Sequence, residues 1–422
     1  RLGRLNYESL SQQAQMEVMV EKIENKQYFH DKNGNFLDVC EWEGVLCNDE
    51  GDITEIGWNR LVIDLKGTLN VDFLPMSVKE VSIFDLDAQC IIDLGHLSQN
   101  LEFFTVHGVN EQTFDVSKIP SSIKIVDVAG DLFGSLPTRL LPRGLMSFCV
   151  SYSEMGGAID LRNLPEQIEA FELFSNLFSS SLDFTRLPES LRSLSITNNN
   201  FSGPIFFNQE YPNLNSFQVS SNNFSGEIDF AHLRCRSMSL SDNSFNGEIH
   251  LEMFYEGMKS LWLNENKFHG HMNFSNSPNG LEVLVIDENF FDGSVRLEGI
   301  PNALKLLSGG SNRFSGNLVL DDLKEKRLSR LRFPKNALSG ELNLTALPRQ
   351  LSVLDLSYNA FTGPVTLDKL PHRLSELDLT GNSLSGVVDI ATAPDSLVQL
   401  KLSKNKFEGK LQCGRMYVEI GD

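Results

Sequence analysis

A motif that recurs about every 23 residues through 16 successive copies limits the fold more than any other feature. The copies start at Ile53, Val78, Leu101, Ile123, Leu145, Ile168, Leu191, Leu214, Cys235, Met258, Leu281, Leu304, Leu328, Leu351, Leu374 and Leu397. A fixed period of this size marks an array whose units cannot bury their apolar face alone. The first, fourth and sixth places of each copy are mostly aliphatic or Phe. The fourth and sixth alternate inward along a short strand, and the third and fifth lie outside that inward set. The ninth place is Asn in the last eleven copies, from Asn176 to Asn405. Such an Asn can turn inward and bond backbone groups of neighbouring coils. Two places on stands Phe or Leu, from Phe178 to Phe407, which predicts an internal Phe column. That column accounts for 29 Phe against 7 Tyr and 3 Trp. Two places further, Gly recurs from Gly203 to Gly409, as a tight bend requires. A second short alternation, as in Gly226-Glu227-Ile228-Asp229-Phe230, reads as a lateral strand rather than a helix.

These residues resemble the leucine-rich repeat superfamily, and within it the plant-type extracellular class with its N-x-F/L-S-G-x-I core. The resemblance covers about residues 40–411. Where plant repeats continue Ile-Pro, this chain continues x-Leu-x-x-Leu-Pro, as in Leu342-Asn-Leu344-Thr-Ala-Leu347-Pro348, a variant that looks like protist surface proteins. The implied fold is an α/β-type solenoid: a curved array of about 16 coils with a parallel concave sheet, short lateral strands and an N-terminal cap. The expected organisation is a cap at 1–52, repeats at 53–411, and a C-terminal cap or truncated tail at 412–422. Cys40-Glu-Trp42-Glu-Gly44-Val45-Leu46-Cys47 resembles the cap segment of plant-type repeats, which implies a Cys40–Cys47 disulfide. A stable disulfide points to the secretory route. Ser11 to Ile23 has helical apolar spacing within the cap. Of the other cysteines, Cys235 fills a core Leu slot, Cys90 reads as a turn residue and Cys149 as a strand residue facing solvent. Cys413 lies near the end, where Met416, Val418 and Ile420 alternate.

Charge removes several function classes. With 36 Lys+Arg against 56 Asp+Glu, the net charge is −20. That argues against a nucleic-acid binder, which needs clustered cations, and against docking on an anionic leaflet. No apolar run approaches the ~18 residues of a membrane span. The chain starts at Arg1 with no visible signal peptide, as a mature secreted form or a fragment would; whether an anchor follows Asp422 is open. No motif for nucleophilic, metal-dependent or nucleotide chemistry is present. Serines at strand positions lack a base, so the chain reads as no enzyme and needs no cofactor. His269 and His271, with Glu248 and Asp292 in neighbouring columns, form the one arrangement resembling a metal site; solvated surface histidines are the simpler reading, and no metal is assigned.

Four sequons, at Asn200, Asn223, Asn273 and Asn343, fall on outward positions and are expected to carry N-glycans. Asn200 and Asn223 lie one repeat apart in one register, which would set their sugars in a row. The fifth places, on the concave face, are mostly small or polar. Trp262 and Val285 break that rule, with Val283 and Leu306 beside them and Arg330, Arg332, Lys305 and Lys335 nearby. All four apolar residues are expected to be solvent-accessible, as an anchor for a partner whose acidic groups would meet Arg330 and Arg332. Gly309 in a core slot and Pro334 at a strand end suggest a local bend that shapes a pocket. The expected function is extracellular recognition of a protein or glycan by a secreted or cell-surface module. The alternative is a self-assembling subunit of an extracellular filament, coat or surface hair.

Overall fold

The computed structural model describes residues 10–408 and 417–419. Gly409, Cys413, Met416 and Ile420 lie outside these residues, and of the tail only the strand Tyr417–Glu419 is described. Two compact units divide between Gly203 and Pro204.

The first unit opens with a cap. Ser11 accepts a hydrogen bond from the Ala14 amide at 3.2 Å and starts the helix Gln12–Met19, as a serine N-cap does. The helix buries Met16 and Met19. Gln12 stitches it to the first coil: its Nε2 donates to Asp52 at 2.9 Å, and its Oε1 accepts from the Ile53 amide at 2.8 Å. Trp42 and Trp58 are buried around Phe29, with ring centroids 4.5 and 5.7 Å from it. Cys40 and Cys47 form a disulfide, with Cα atoms 5.8 Å apart. The cap strands Lys22–Ile23 and Val45–Cys47 pair antiparallel with the first coil, on Lys66–Asn70 and Ile53–Trp58. The exposed edge of the parallel sheet is thereby covered.

Beyond the cap the main strands stack parallel and in register: Ile53–Trp58, Glu80–Ile83, Phe103–Thr113, Ile125–Ser135, Ser147–Ser151, Ala170–Glu172 and Ser193–Ser195. Phe103–Thr113 and Ile125–Ser135 run on unbroken into the lateral side. Their ninth places hold Val109 and Asp131 instead of Asn, so no inward amide turns the chain, and the register slips at His107 and Val109. Cys90 corrects a sequence expectation: it lies in the lateral strand Asp87–Ile91 and is fully buried, because its register neighbours Leu69 and Val109 are core residues. Cys149 is half-buried on the main sheet.

The second unit repeats the scheme through nine main strands from Ser216–Gln218 to Gln399–Lys401. Each coil then forms a lateral strand, but earlier than the expected alternation: the strand is Asn223–Gly226, and 227–230 leads instead into the 3-10 turn Phe230–His232; several coils add such a turn, with Asp or Asn as its N-cap. The two ladders differ in stagger. On the main sheet residue 239 faces residue 262, a step of 23, whereas on the lateral side Asn246 faces Lys267, a step of 21. The Asn column produces that shift. Asn266 donates to the Leu240 carbonyl of the preceding coil at 2.9 Å, and its Oδ1 accepts from the Phe245 amide at 3.0 Å. The expected Phe column is present: Phe245, Phe268, Phe291 and Phe314 are buried and stacked, with centroids 6.3 to 6.4 Å apart. Each such ring adds roughly 1.5–3 kcal/mol by burial. Cys235 is buried, and burial pushes its thiol up to about 12.

Candidate functional site

Four consecutive strands of the second unit carry the apolar and basic residues on one face. Ser260–Trp262, Val283–Val285, Leu306–Ser308 and Arg330–Arg332 pair in register. The third places therefore form the row Ser260, Val283, Leu306, Arg330, and the fifth places the row Trp262, Val285, Ser308, Arg332. Strands about 4.8 Å apart place neighbouring side chains in contact.

Trp262 is 38% exposed. Val283 and Leu306 are half-buried, and Arg330 is exposed. Val285 is buried at 8%, against the expectation that all four apolar residues are accessible. It lies between Trp262 and Ser308 in the row, where a short branched side chain sinks below the larger indole. Trp262, Val283 and Leu306 therefore form the accessible apolar strip, with Val285 as its floor.

The cations beside it differ in freedom. Lys259 and Lys305 both pair with Glu282, at 3.2 and 2.5 Å, so neither charge is open. Arg332 is half-buried and reaches Glu376 at 3.6 Å. Arg330 has no carboxylate at ion-pair distance among the described residues. Lys335 is exposed, with a left-handed φ of 54°.

The expected pocket at Gly309 is filled. A Cβ there would stand 2.6 Å from Phe333, which also packs edge-on against Phe314 at 5.6 Å. The missing Leu is replaced from the next coil. Beside it lies Asp287, on a seventh place of the repeat, where the period sets no residue type and so gives no signal. It accepts from Ser308 Oγ and from the Gly310 amide, both at 2.8 Å. Burial outweighs these bonds and raises its carboxyl above the ordinary value.

The metal arrangement does not assemble as expected. The lateral stagger puts Glu248 opposite His269 and Asp292 opposite His271, exchanging the two acids between the columns. His271 pairs with Asp292 at 2.5 Å. All four sequon asparagines are exposed. Asn200 and Asn223 begin lateral strands of the first and second unit. Asn273 and Asn343 cap 3-10 turns through Oδ1, and Asn343 also donates to Asp321 at 2.7 Å. No helix among the described residues is long and apolar enough to cross a membrane.

No protein-family model and no curated protein matches the chain. Solved structures do. The leucine-rich-repeat ectodomain of the plant membrane receptor kinase GASSHO1/SCHENGEN3 from Arabidopsis thaliana, in complex with CASPARIAN STRIP INTEGRITY FACTOR 2, is 18% identical, with a TM-score of 0.50 over 94% of this chain and 65% of that one. YopM from Yersinia enterocolitica is 20% identical, with a TM-score of 0.58 over 84% of this chain and 73% of that one. The chain thus spans less than two thirds of the receptor ectodomain. At these identities the likeness is one of fold: the chain folds as a leucine-rich-repeat solenoid.

Proposed function

We propose that the chain is a non-catalytic recognition module, secreted or held at the cell surface, whose second unit binds a protein or glycan partner on its main-sheet face. One observation carries this reading: Trp262, Val283, Leu306 and the unpaired Arg330 stand on four consecutive strands of one face. An exposed indole on a rigid parallel sheet is a preorganised anchor. The partner covers the apolar strip with an apolar group and brings acidic groups to Arg330 and Arg332. The Cys40–Cys47 disulfide supports an oxidising compartment. The receptor ectodomain of like fold, solved with a bound factor, supports a protein as partner.

The test is a screen of the full chain against arrays of extracellular proteins and glycans, repeated with Trp262→Ala and with Arg330→Ala. A true partner loses ~2 kcal/mol or more with the tryptophan change if Trp262 is its hot spot. Hits that bind both variants as tightly as the native chain would overturn this use of the face. Light scattering on the same samples decides the alternative: a monomer supports the module, and concentration-dependent growth supports the assembly subunit.

A further inference from the structure

The Trp262 face has two unlike sides, and its polar side narrows what can bind there. On the two strands before the indole, and on its own, the outward third and fifth places are Ser216, Gln218, Ser237, Ser239 and Ser260, paired in register up to Trp262. None of them is charged, in a chain where 22% of residues are. All five are half-buried. Ser237 Oγ accepts from Gln218 Nε2 at 3.1 Å and from Ser260 Oγ at 3.0 Å. Its own O–H is left to donate, and Ser260 keeps both of its acceptor sites. At the seventh place Ser241 donates to Asn264 at 2.7 Å. Asn264 donates one N–H to Glu265 at 3.3 Å and keeps the other. The indole therefore borders a field of fixed donors and acceptors without charge.

The opposite side is apolar and then cationic. Val283 and Leu306 stand on the next two strands, and Arg330 on the third. Three strand steps from Trp262 to Arg330 amount to roughly 14 Å. Lys259 and Lys305 are held by Glu282, so the accessible positive charge lies at that far end. A protein hot spot is ringed by groups that keep water away from it. On the side of Ser239 and Ser260 this indole is ringed by hydroxyls, which hold water. An apolar protein side chain gains nothing from them. A sugar ring does: its C–H face lies on the indole while its hydroxyls meet the polar field.

We propose that the ligand of this face is an acidic oligosaccharide. The inference rests on the reading of the Trp262 face as the binding site and names the chemistry of its ligand. One pyranose ring stacks on Trp262 with its hydroxyls toward Ser239, Ser260 and Asn264. The following sugars cross Val283 and Leu306 on their C–H faces, and an acidic substituent, carboxylate or sulfate, pairs with Arg330. A single sugar does not span these strands, and a neutral oligosaccharide leaves Arg330 unanswered.

The probe is an array of tetra- to hexasaccharides in which every uronic-acid-bearing member stands beside its carboxyl-reduced, neutral counterpart. Sulfated members beside their desulfated counterparts distinguish the two acids, and a hexaglutamate peptide supplies acid without sugar rings. The full chain is expected to bind acidic members about tenfold more tightly than their neutral counterparts, the worth of one close charge pair. Arg330→Ala, at an exposed position, should remove that difference and leave the neutral members unchanged. Ser239→Ala with Asn264→Ala should weaken acidic and neutral members alike by about fivefold and leave their ratio intact. Trp262→Ala should abolish binding of both. Hexaglutamate bound as tightly as the acidic sugars, acidic and neutral members bound equally, no loss with the Ser239 and Asn264 changes, or no saccharide bound at all would each overturn the proposal. In the last case a protein ligand lost with Trp262→Ala would keep the face as a binding site and refute only its sugar chemistry. A saccharide bound as tightly after Trp262→Ala would refute both.

Discussion

Ser180 stands where its neighbours in the column have Gly157 and Gly203. Its φ is 130°, a region that costs a residue with a Cβ, and its hydroxyl is buried without a partner. Replacing it with the column's own residue removes both penalties, so Ser180→Gly is expected to raise stability by about 1 kcal/mol. Urea unfolding reads this directly, and a loss of stability would show that the hydroxyl is satisfied. At Asp287 the effect depends on pH. Its carboxyl is raised in the folded state, so the folded chain holds the proton more firmly than the unfolded chain. That contribution is complete at pH below the ordinary carboxylate value and is lost as pH rises through the raised one. Asp287→Asn keeps an oxygen for Ser308 and Gly310 but cannot ionise. Its melting temperature relative to native should therefore rise from about pH 4 to about pH 7, and a flat difference would contradict the assigned burial. Other single residues were less legible. The period told inward places from outward ones but could not rank the outward ones. Val285 is hidden by the size of Trp262 beside it, and the gap at Gly309 is closed by Phe333; both outcomes depend on side-chain volumes in adjacent coils.

The coil is held by its inward amide. Asn289 is buried and donates to the carbonyls of Leu263, Ile286 and Asp287 at 2.9, 3.3 and 3.0 Å, while accepting from the Phe268 amide at 3.0 Å. Asn289→Ala strands buried backbone groups on two coils and is expected to cost ~2–5 kcal/mol in chemical denaturation, against ~1 kcal/mol for an ordinary surface truncation. Ser153 shows a partial substitute: its hydroxyl donates to the carbonyls of Gly130, on the preceding coil, and Ser151 at 2.7 and 2.9 Å, without the separate oxygen by which an amide accepts from that coil. The cap is held differently. Its disulfide closes a separation of only 7 residues, so loop entropy accounts for roughly 2–3 kcal/mol. Changing Cys40 and Cys47 to Ser should lower stability by about that amount and leave the binding faces unaltered. Peptide mapping that finds both as free thiols in secreted protein would also remove the argument for compartment. Strand, Asn, Phe and Gly columns were readable because each recurs at one phase. The lateral stagger of 21 against 23 was not, since it follows from where each amide reaches rather than from spacing. The exchanged acids beside His269 and His271 are its direct result.

Across the whole molecule, the sequons and the proposed binding face lie on different sides of the coil. Every sequon asparagine is on a lateral strand or at the cap of a 3-10 turn, and none is on a main strand. The main sheets, where Trp262 is exposed, hold no acceptor site within their strands. A chain with net charge −20 resists non-specific association, and glycans on the lateral side would add a steric screen there. The four positions differ in readiness. Among the described residues the side-chain amides of Asn200, Asn223 and Asn273 donate to no neighbour, whereas the Asn343 amide is committed to Asp321. Expression through a eukaryotic secretory pathway is therefore expected to give glycans at the first three, with lower occupancy at Asn343. Intact-mass analysis before and after enzymatic deglycosylation, with peptide mapping, measures each site. Changing Asn200, Asn223 and Asn273 to Gln should remove the sugars and leave partner binding at Trp262 unchanged. An unaltered mass after deglycosylation would refute the glycan assignment. Binding that changes when the glycans are lost would place the partner on the lateral side instead of the main sheet.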